Sequence, residues 1–215
     1  MDGEVQGEMA KFLHAAIVAP ERDPKFAESK FHGELVQREV ARRVSTFCKR
    51  RRVAIDVGAH IGLWTKELIH LFDEVWAFEP SEENFVCLKA NVPKKACLVN
   101  AALGDYDGKC DVVLEGGNSG MWRVTPGDSI EMHTLDSYFM DEVDLIKIDA
   151  EGYEGKVIKG AIETIRESRP AVLFEDNGLG VKYYGSGWSD PKLWLGAEKY
   201  APLKRFNKDE LWLPT

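Results

Sequence analysis

The polar and apolar positions of this chain fall into short alternating blocks of two kinds. RVAIDV is a compact apolar run rich in β-branched residues, as in a strand buried on both faces. LWTKELIHLF follows and sets Trp64, Leu68, Leu71 and Phe72 on one helical face. EVWAFEP reads as a second strand, SEENFVCLKANV as a helix opening on a serine N-cap before two acids, and ACLVNAAL as a third strand. The rhythm returns later. VDLIKID is a fully buried strand, EGKVIKGAIETIRES one helix with Val157, Ile158, Ala161, Ile162 and Ile165 inward, and PAVLFE a further strand. Strands alternating with helices at this spacing predict parallel βαβ units, hence an α/β fold with a doubly wound, mostly parallel sheet and helices on both faces.

Other segments break the alternation. CDVVLEGGNSGMWRV reads as a strand running into a glycine-rich loop, and SIEMHTL as another short strand. APLKRFNKDELWLP predicts two strands joined by an NKD turn, after the glycine- and aromatic-rich connector GLGVKYYGSGWSDPKLWLG. Near the start, ELVQREVARRVSTFCK places Leu35, Val36, Val40, Val44 and Phe47 at helical spacing. Residues 1–52 are therefore expected to form a helical extension packed on one domain of residues 53–215.

Composition narrows the class. With 215 residues, 44% of them hydrophobic, the chain suits one domain with a sizeable core. A net charge of -8 argues against broad capture of nucleic acid. Cys48, Cys87, Cys97 and Cys110 have no metal-ligand spacing and read as small buried hydrophobes of a reducing compartment. The N-terminus MDGEVQGEMAKFLHAAIVAP begins acidic and is interrupted by His14, unlike a secretory signal, and no stretch reaches membrane-spanning length. A cytoplasmic protein is expected, its oligomeric state left open. The run Lys49-Arg50-Arg51-Arg52 has a simple reading as cations at a helix C-terminus, which is favoured, and a sharper one as a dock for a phosphate-bearing acceptor.

The chemistry concentrates in AIDVGAHIG. A dinucleotide site uses GxGxxG so that backbone N–H groups and a helix N-terminus hold a pyrophosphate. Here one glycine of that fingerprint is missing, and Asp56 precedes Gly58 and Gly62 where it would repel a phosphate. No Gly-Lys-Ser/Thr follows, which excludes a P-loop. The turn suits a nucleoside that lacks phosphate and carries positive charge, as S-adenosylmethionine does with its sulfonium and ammonium. Glu79, about twenty residues past the glycines, stands where an acid accepts hydrogen bonds from ribose hydroxyls.

These residues resemble the FkbM-type S-adenosylmethionine-dependent methyltransferases. The matching stretches are AIDVGAHIGLWT, FEPSEENFVCLKANV, LVNAALGDYDG, HTLDSYF and VDLIKIDAEGYEGKVIKGA, in the family's order over residues 50–178. The resemblance implies a single Rossmann-like class I methyltransferase domain with a seven-stranded sheet. It further implies methyl transfer to a hydroxyl of a small-molecule, sugar or lipid-like acceptor. His60 and Tyr153 depart from the family's usual residues, which bears on the acceptor.

Roles follow from topology, since ligands of open α/β sheets sit beyond the carboxyl ends of the strands. Asp56, Glu79, Asn100, Asp149 and Glu175 end predicted strands at one edge. Cofactor binding is assigned to Asp56, Gly58, Ala59, His60 and Gly62 at the turn, to Glu79, Pro80 and Ser81 at the ribose, to Asn100 and Ala101 at the adenine, and to Asp149. Asp149, Glu151, Glu175 and His60 are the catalytic candidates. Asp149 and Glu151 have a plainer reading as acids at a helix N-terminus, and Asp136 reads as an N-cap. A disfavoured second mechanism places Mg²⁺ on Asp149, Asp176 and Asn177, like catechol O-methyltransferases. GGNSGMW and KYYGSGW are candidate lids, with packing of Trp122 and Trp188 as the plain alternative. The rival functions are ribose 2′-O-methylation of RNA, NAD-dependent oxidoreduction, which Asp56 disfavours, and a non-catalytic donor-binding module. A nucleic-acid acceptor is disfavoured, because IDAEGY lacks the Pro-Pro-aromatic and Pro-Cys runs of base methylation.

Overall fold

A computed structural model of the protein describes residues 18–20, 24–115, 119–187 and 189–215, with only the backbone for 24–34. The chain runs through α1 (Pro24–Ser45), β1 (Val53–Val57), α2 (Leu63–Leu68), β2 (Glu74–Phe78), α3 (Glu82–Asn91) and β3 (Cys97–Val99). Then come β4 (Ala102–Leu103), β5 (Gly108–Leu114), β6 (Trp122–His133), a 3-10 turn (Asp136–Tyr138) and β7 (Val143–Ile148). It ends with α4 (Glu154–Lys159), α5 (Ile162–Ser168), β8 (Ala171–Glu175), α6 (Leu179–Tyr184), α7 (Pro191–Ala197), β9 (Tyr200–Phe206) and β10 (Asp209–Pro214).

Seven strands form the main sheet in the order β3-β2-β1-β7-β8-β10-β9. The first five are parallel, and β10 is antiparallel to both its neighbours. The order reverses between β1 and β7, where such sheets open a ligand crevice. Alternate residues feed opposite faces: Ile55, Ile146 and Val172 pack in one cluster, Ala54, Leu145 and Leu173 in the other. Both faces are dry, which is why these strands read as continuous apolar runs.

Four expectations about the elements need correction. ACLVNAAL is two strands: β3 joins the main sheet, while β4 joins a second sheet of order β4-β6-β5. Between them Asn100 donates its amide to the Glu79 and Pro80 carbonyls, bracing the turn that diverts the chain. SIEMHTL is no separate strand, because β6 runs unbroken from Trp122 and absorbs a register shift opposite Cys110 and Asp111. EGKVIKGAIETIRES breaks at Gly160, whose carbonyl accepts from Asp136 N–H rather than continuing one helix. The Asp136 carboxylate in turn accepts from Glu163 N, Thr164 N and Thr164 Oγ1, so it caps α5 from a distant part of the chain.

The fourth concerns α1, which starts at Pro24 and stops at Ser45, where the Arg51 guanidinium takes the Ser45 carbonyl. Its inner face is Ala41 and Val44, with Val40 beside them, packed on Trp64 and Leu68; Leu35 and Val36 are exposed. Of the cysteines, Cys87 and Cys110 are buried, Cys48 is half-buried and Cys97 is exposed, contrary to expectation. Residues 1–17, where the N-terminal signal was weighed, lie outside the described residues. No helix among the described residues is long and apolar enough to cross a membrane.

Candidate functional site

A cavity of about 720 Å³ lies beyond the carboxyl ends of β1, β2, β7 and β8, within the size range of small-molecule sites. Gly58, His60, Glu79, Pro80 and Ala101 line its β1–β2 side. Asp149, Glu151, Glu175, Asn177 and Lys208 line its β7–β8 side, with Gln37 of α1, and Asn84, Met121, Trp122 and Leu179 are also part of the wall. Asp56, Ala59, Gly62, Ser81 and Asn100 do not border it.

The glycines of the first turn serve close approach within the protein. Gly58 has φ +71°, and a Cβ there would lie 1.8 Å from the Asp149 carbonyl oxygen. Its N–H and that of Ala59 both donate to the Phe78 carbonyl at 3.0 Å. Ala59 turns its methyl toward Ala77, Phe85 and Leu88. Gly62, at φ +90°, suits only glycine comfortably, and a Cβ there would also lie 2.6 and 2.7 Å from side-chain atoms of Val92 and Leu88 at the end of α3. The ligand-facing part of the turn is therefore Gly58 and His60.

Asp56 does not end a strand facing the ligand. It is fully buried inside β1, opposite Lys147 of β7. Lys147 Nζ lies 3.1 Å from Asp56 Oδ1 and 3.6 Å from Asp149 Oδ2, and Thr65 Oγ1 donates to Asp56 Oδ2. Burial opposes the ammonium charge, yet Asp56 and Asp149 outweigh it and hold the pKa above the usual lysine range. One cation between two carboxylates leaves one net negative charge, and Asp149 is the member that reaches the cavity. Asp56, from which a cation preference was inferred, is therefore shut off from the cavity that Asp149 borders. Lys147 was absent from the sequence reading, though a lysine in the middle of VDLIKID is itself an anomaly in a dry strand.

Glu79 follows β2 and is buried. Its Oε2 accepts from His60 N at 2.8 Å, and its Oε1 from Ser81 N at 2.9 Å and Asn84 Nδ2 at 3.4 Å. Burial pushes its carboxyl up to about 7, while these N–H donors pull the other way. Ser81 caps α3 by accepting from Asn84 N, and Asn84 Nδ2 also donates to the Ser119 carbonyl at 2.9 Å. His60 Nε2 lies 3.1 Å from Ser119 Oγ, so the glycine-rich loop before β6 is fastened to this side of the cavity.

Asp149, Glu151 and Glu175 bring carboxylate oxygens within 4.8 Å of one another. Burial first, then the charges of Asp149 and Glu175, pushes Glu151 up to about 8; burial and Asp149 push Glu175 up to about 7. Lys208 Nζ stands 3.6 Å from Glu175. Neither Asp149 nor Glu151 caps α4, whose N-cap position is Tyr153 with no side-chain cap; Glu154 instead braces the turn before the helix, accepting from Ala150 N and Gly152 N. The triad Asp149, Asp176 and Asn177 is not assembled. Asp176 is turned into a separate ion network with Lys192 and Arg205, whose cations hold its carboxyl below the usual range against the opposing effect of burial. Asn177 instead donates to Glu175 and accepts from Leu179 N.

The basic run lies before β1, at the edge opposite the cavity. Arg52 is spent on Asp144 and Glu142, and Arg51 on the Ser45 carbonyl. Of the two expected lids, the first contributes Gly120, Met121 and Trp122 to the cavity wall; its residues 116–118 lie outside the described residues. The second, where Trp188 also lies outside them, packs elsewhere, with Tyr184 OH donating to the Val124 carbonyl and Arg123 stacked on Tyr183 at 4.6 Å.

A family model described as the methyltransferase FkbM domain matches residues 56–184. Among solved structures, the methyltransferase FkbM from Methylobacillus flagellatus KT shares 19% identity at a TM-score of 0.56, covering 95% of this chain and 57% of its own. The chain thus spans little more than half of that protein. A SAM-dependent methyltransferase from Leishmania major shares 12% identity at a TM-score of 0.50, covering 96% of this chain and 81% of its own. At these identities the likeness is one of fold. No match was found among curated proteins.

Proposed function

Because the chain belongs to the methyltransferase FkbM domain family, we propose that it transfers the methyl group of S-adenosylmethionine to a hydroxyl of a small-molecule, sugar or lipid-like acceptor. The observation that carries the reading is that Gly58 and Glu79 share one cavity with the carboxylates Asp149, Glu151 and Glu175. S-adenosylmethionine, when bound, supplies a methyl carbon on a sulfonium leaving group. The chain's residues do the rest. Glu79 holds the ribose beside the Gly58–His60 turn, with Pro80 and Ala101 along the nucleoside. Asp149 favours the cationic end. Glu151 takes the proton of the acceptor hydroxyl, so that its oxygen would be free to accept the methyl group the bound donor would supply. Glu151 is suited to this because its raised pKa makes it a stronger base than an exposed carboxylate.

The carboxylates disfavour an anionic acceptor such as RNA, and the basic run is on the wrong edge to guide one. In the decisive experiment, the protein is titrated with S-adenosylhomocysteine and NADH, then assayed with labelled methyl donor against pools of hydroxylated small molecules and RNA. Affinity for S-adenosylhomocysteine with label on the small hydroxylated pool supports the reading. Affinity for NADH alone, or label on RNA alone, defeats it.

A further inference from the structure

Asn84 carries a feature that the fold does not use. Its side chain is buried, and its Nδ2 donates to both Glu79 Oε1 and the Ser119 carbonyl. Both neighbours of the nitrogen are acceptors, which fixes the orientation of the amide. Its Oδ1 is buried with no hydrogen-bond donor, although the residue lines the cavity. A buried acceptor left unpaired has lost its water without replacement, so a ligand that brings a donor recovers that loss.

The capacity of Glu79 gives that donor an identity. Each carboxylate oxygen offers about two acceptor sites. Oε1 already receives Ser81 N–H and the Asn84 amide, and Oε2 receives His60 N–H. One acceptor site remains on Oε2, whereas a ribose presents two vicinal hydroxyls. Glu79 alone cannot take both without giving up a bond that shapes the turn.

We propose that Glu79 Oε2 and Asn84 Oδ1 divide the two ribose hydroxyls of the methyl donor between them, which makes Asn84 a nucleoside-binding residue. The proposal rests on the donor assigned above. It also gives Asn84 a second task, since the amide that receives the ligand holds Ser119 and thus the loop leading to Met121 and Trp122. Cofactor binding and the position of that wall are joined through one side chain.

Calorimetry on the full chain tests this with S-adenosylhomocysteine and its 2′-deoxy and 3′-deoxy analogues. Wild type is expected to lose roughly 3–10-fold in affinity for each missing hydroxyl, the worth of one hydrogen bond. Asn84→Ala keeps that sensitivity to one hydroxyl and loses it for the other, while Glu79→Gln weakens the complementary one. Affinity ratios within one variant are independent of how much of it is folded. The proposal is overturned if Asn84→Ala weakens all three ligands equally, or if Glu79→Gln alone erases sensitivity to both hydroxyls. Absence of any affinity of wild type for S-adenosylhomocysteine overturns the donor assignment itself.

Discussion

At the residue scale, the proposed chemistry rests on two side chains. Glu151 sits at φ +49°, a strained backbone for a non-glycine residue, within a cluster of like charges. A base in that setting is protonated at acid pH and gains activity as it ionises. Methyl transfer under saturating donor is therefore expected to rise with pH toward a plateau above about 8. Glu151→Gln should lower kcat by about 10²–10⁴-fold and flatten that rise, as read from pH–rate profiles. Lys147 acts differently, as the cation that lets Asp56 exist inside β1. Lys147→Met leaves that carboxylate buried and unpaired, so denaturant titration should show a loss of about 3–5 kcal/mol. The double change Asp56→Asn with Lys147→Met should lose less than the single one.

At the element scale, the break at Gly160 explains how the loop after β4 reaches the helices. A Cβ on Gly160 would lie 1.8 Å from the Gly104 carbonyl oxygen, a backbone atom with no freedom to retreat. Intrinsic propensity says that alanine stabilises a helix by about 1 kcal/mol over glycine. Packing says the reverse here, and Gly160→Ala should destabilise by about 1–3 kcal/mol in thermal and chemical melts. The same contrast shows what the sequence made legible. The βαβ rhythm around β1, β2, β7 and β8 was readable because each strand is dry on both faces and each helix has one apolar side. The split of ACLVNAAL was not, because it depends on Asn100 bracing carbonyls twenty residues away. Glu79, Asp149, Glu151 and Glu175 could be placed at the cavity from strand ends alone. Asn84, Gln37 and Lys208 could not, since helix and hairpin periodicity says nothing about which polar residue meets a distant edge. Asp56 was misplaced for a related reason: its partner lies ninety residues away in sequence and beside it only in the sheet.

Across the whole molecule, acids with raised pKa values gather at one edge. Burial pushes Glu79, Glu154 and Glu175 up to about 7, Asp209 to about 6 and Glu151 to about 8. Each binds its proton more tightly folded than unfolded, so between its ordinary value and its raised one the folded state carries more protons. Stability from this source is complete near pH 4 and is lost as pH rises to about 8. The ligand-free protein should therefore melt at progressively lower temperature from pH 5 to pH 8.5. Glu151→Gln should flatten the upper part of that decline, a difference on the order of a few degrees by calorimetric scan.

The near-contact of Gly58 with the Asp149 carbonyl has a consequence for redesign. Asp149 N–H also donates to the Val57 carbonyl, so the ends of β1 and β7 are fastened at that point. The glycine turn and the carboxylate side of the cavity are joined at that seam, and neither can be reshaped without disturbing the other. Diversification toward new acceptors must therefore come from the periphery, at Gln37, Met121, Trp122, Leu179 and Lys208, which border the chamber without belonging to that seam. A library confined to those five positions should yield altered selectivity while preserving donor affinity.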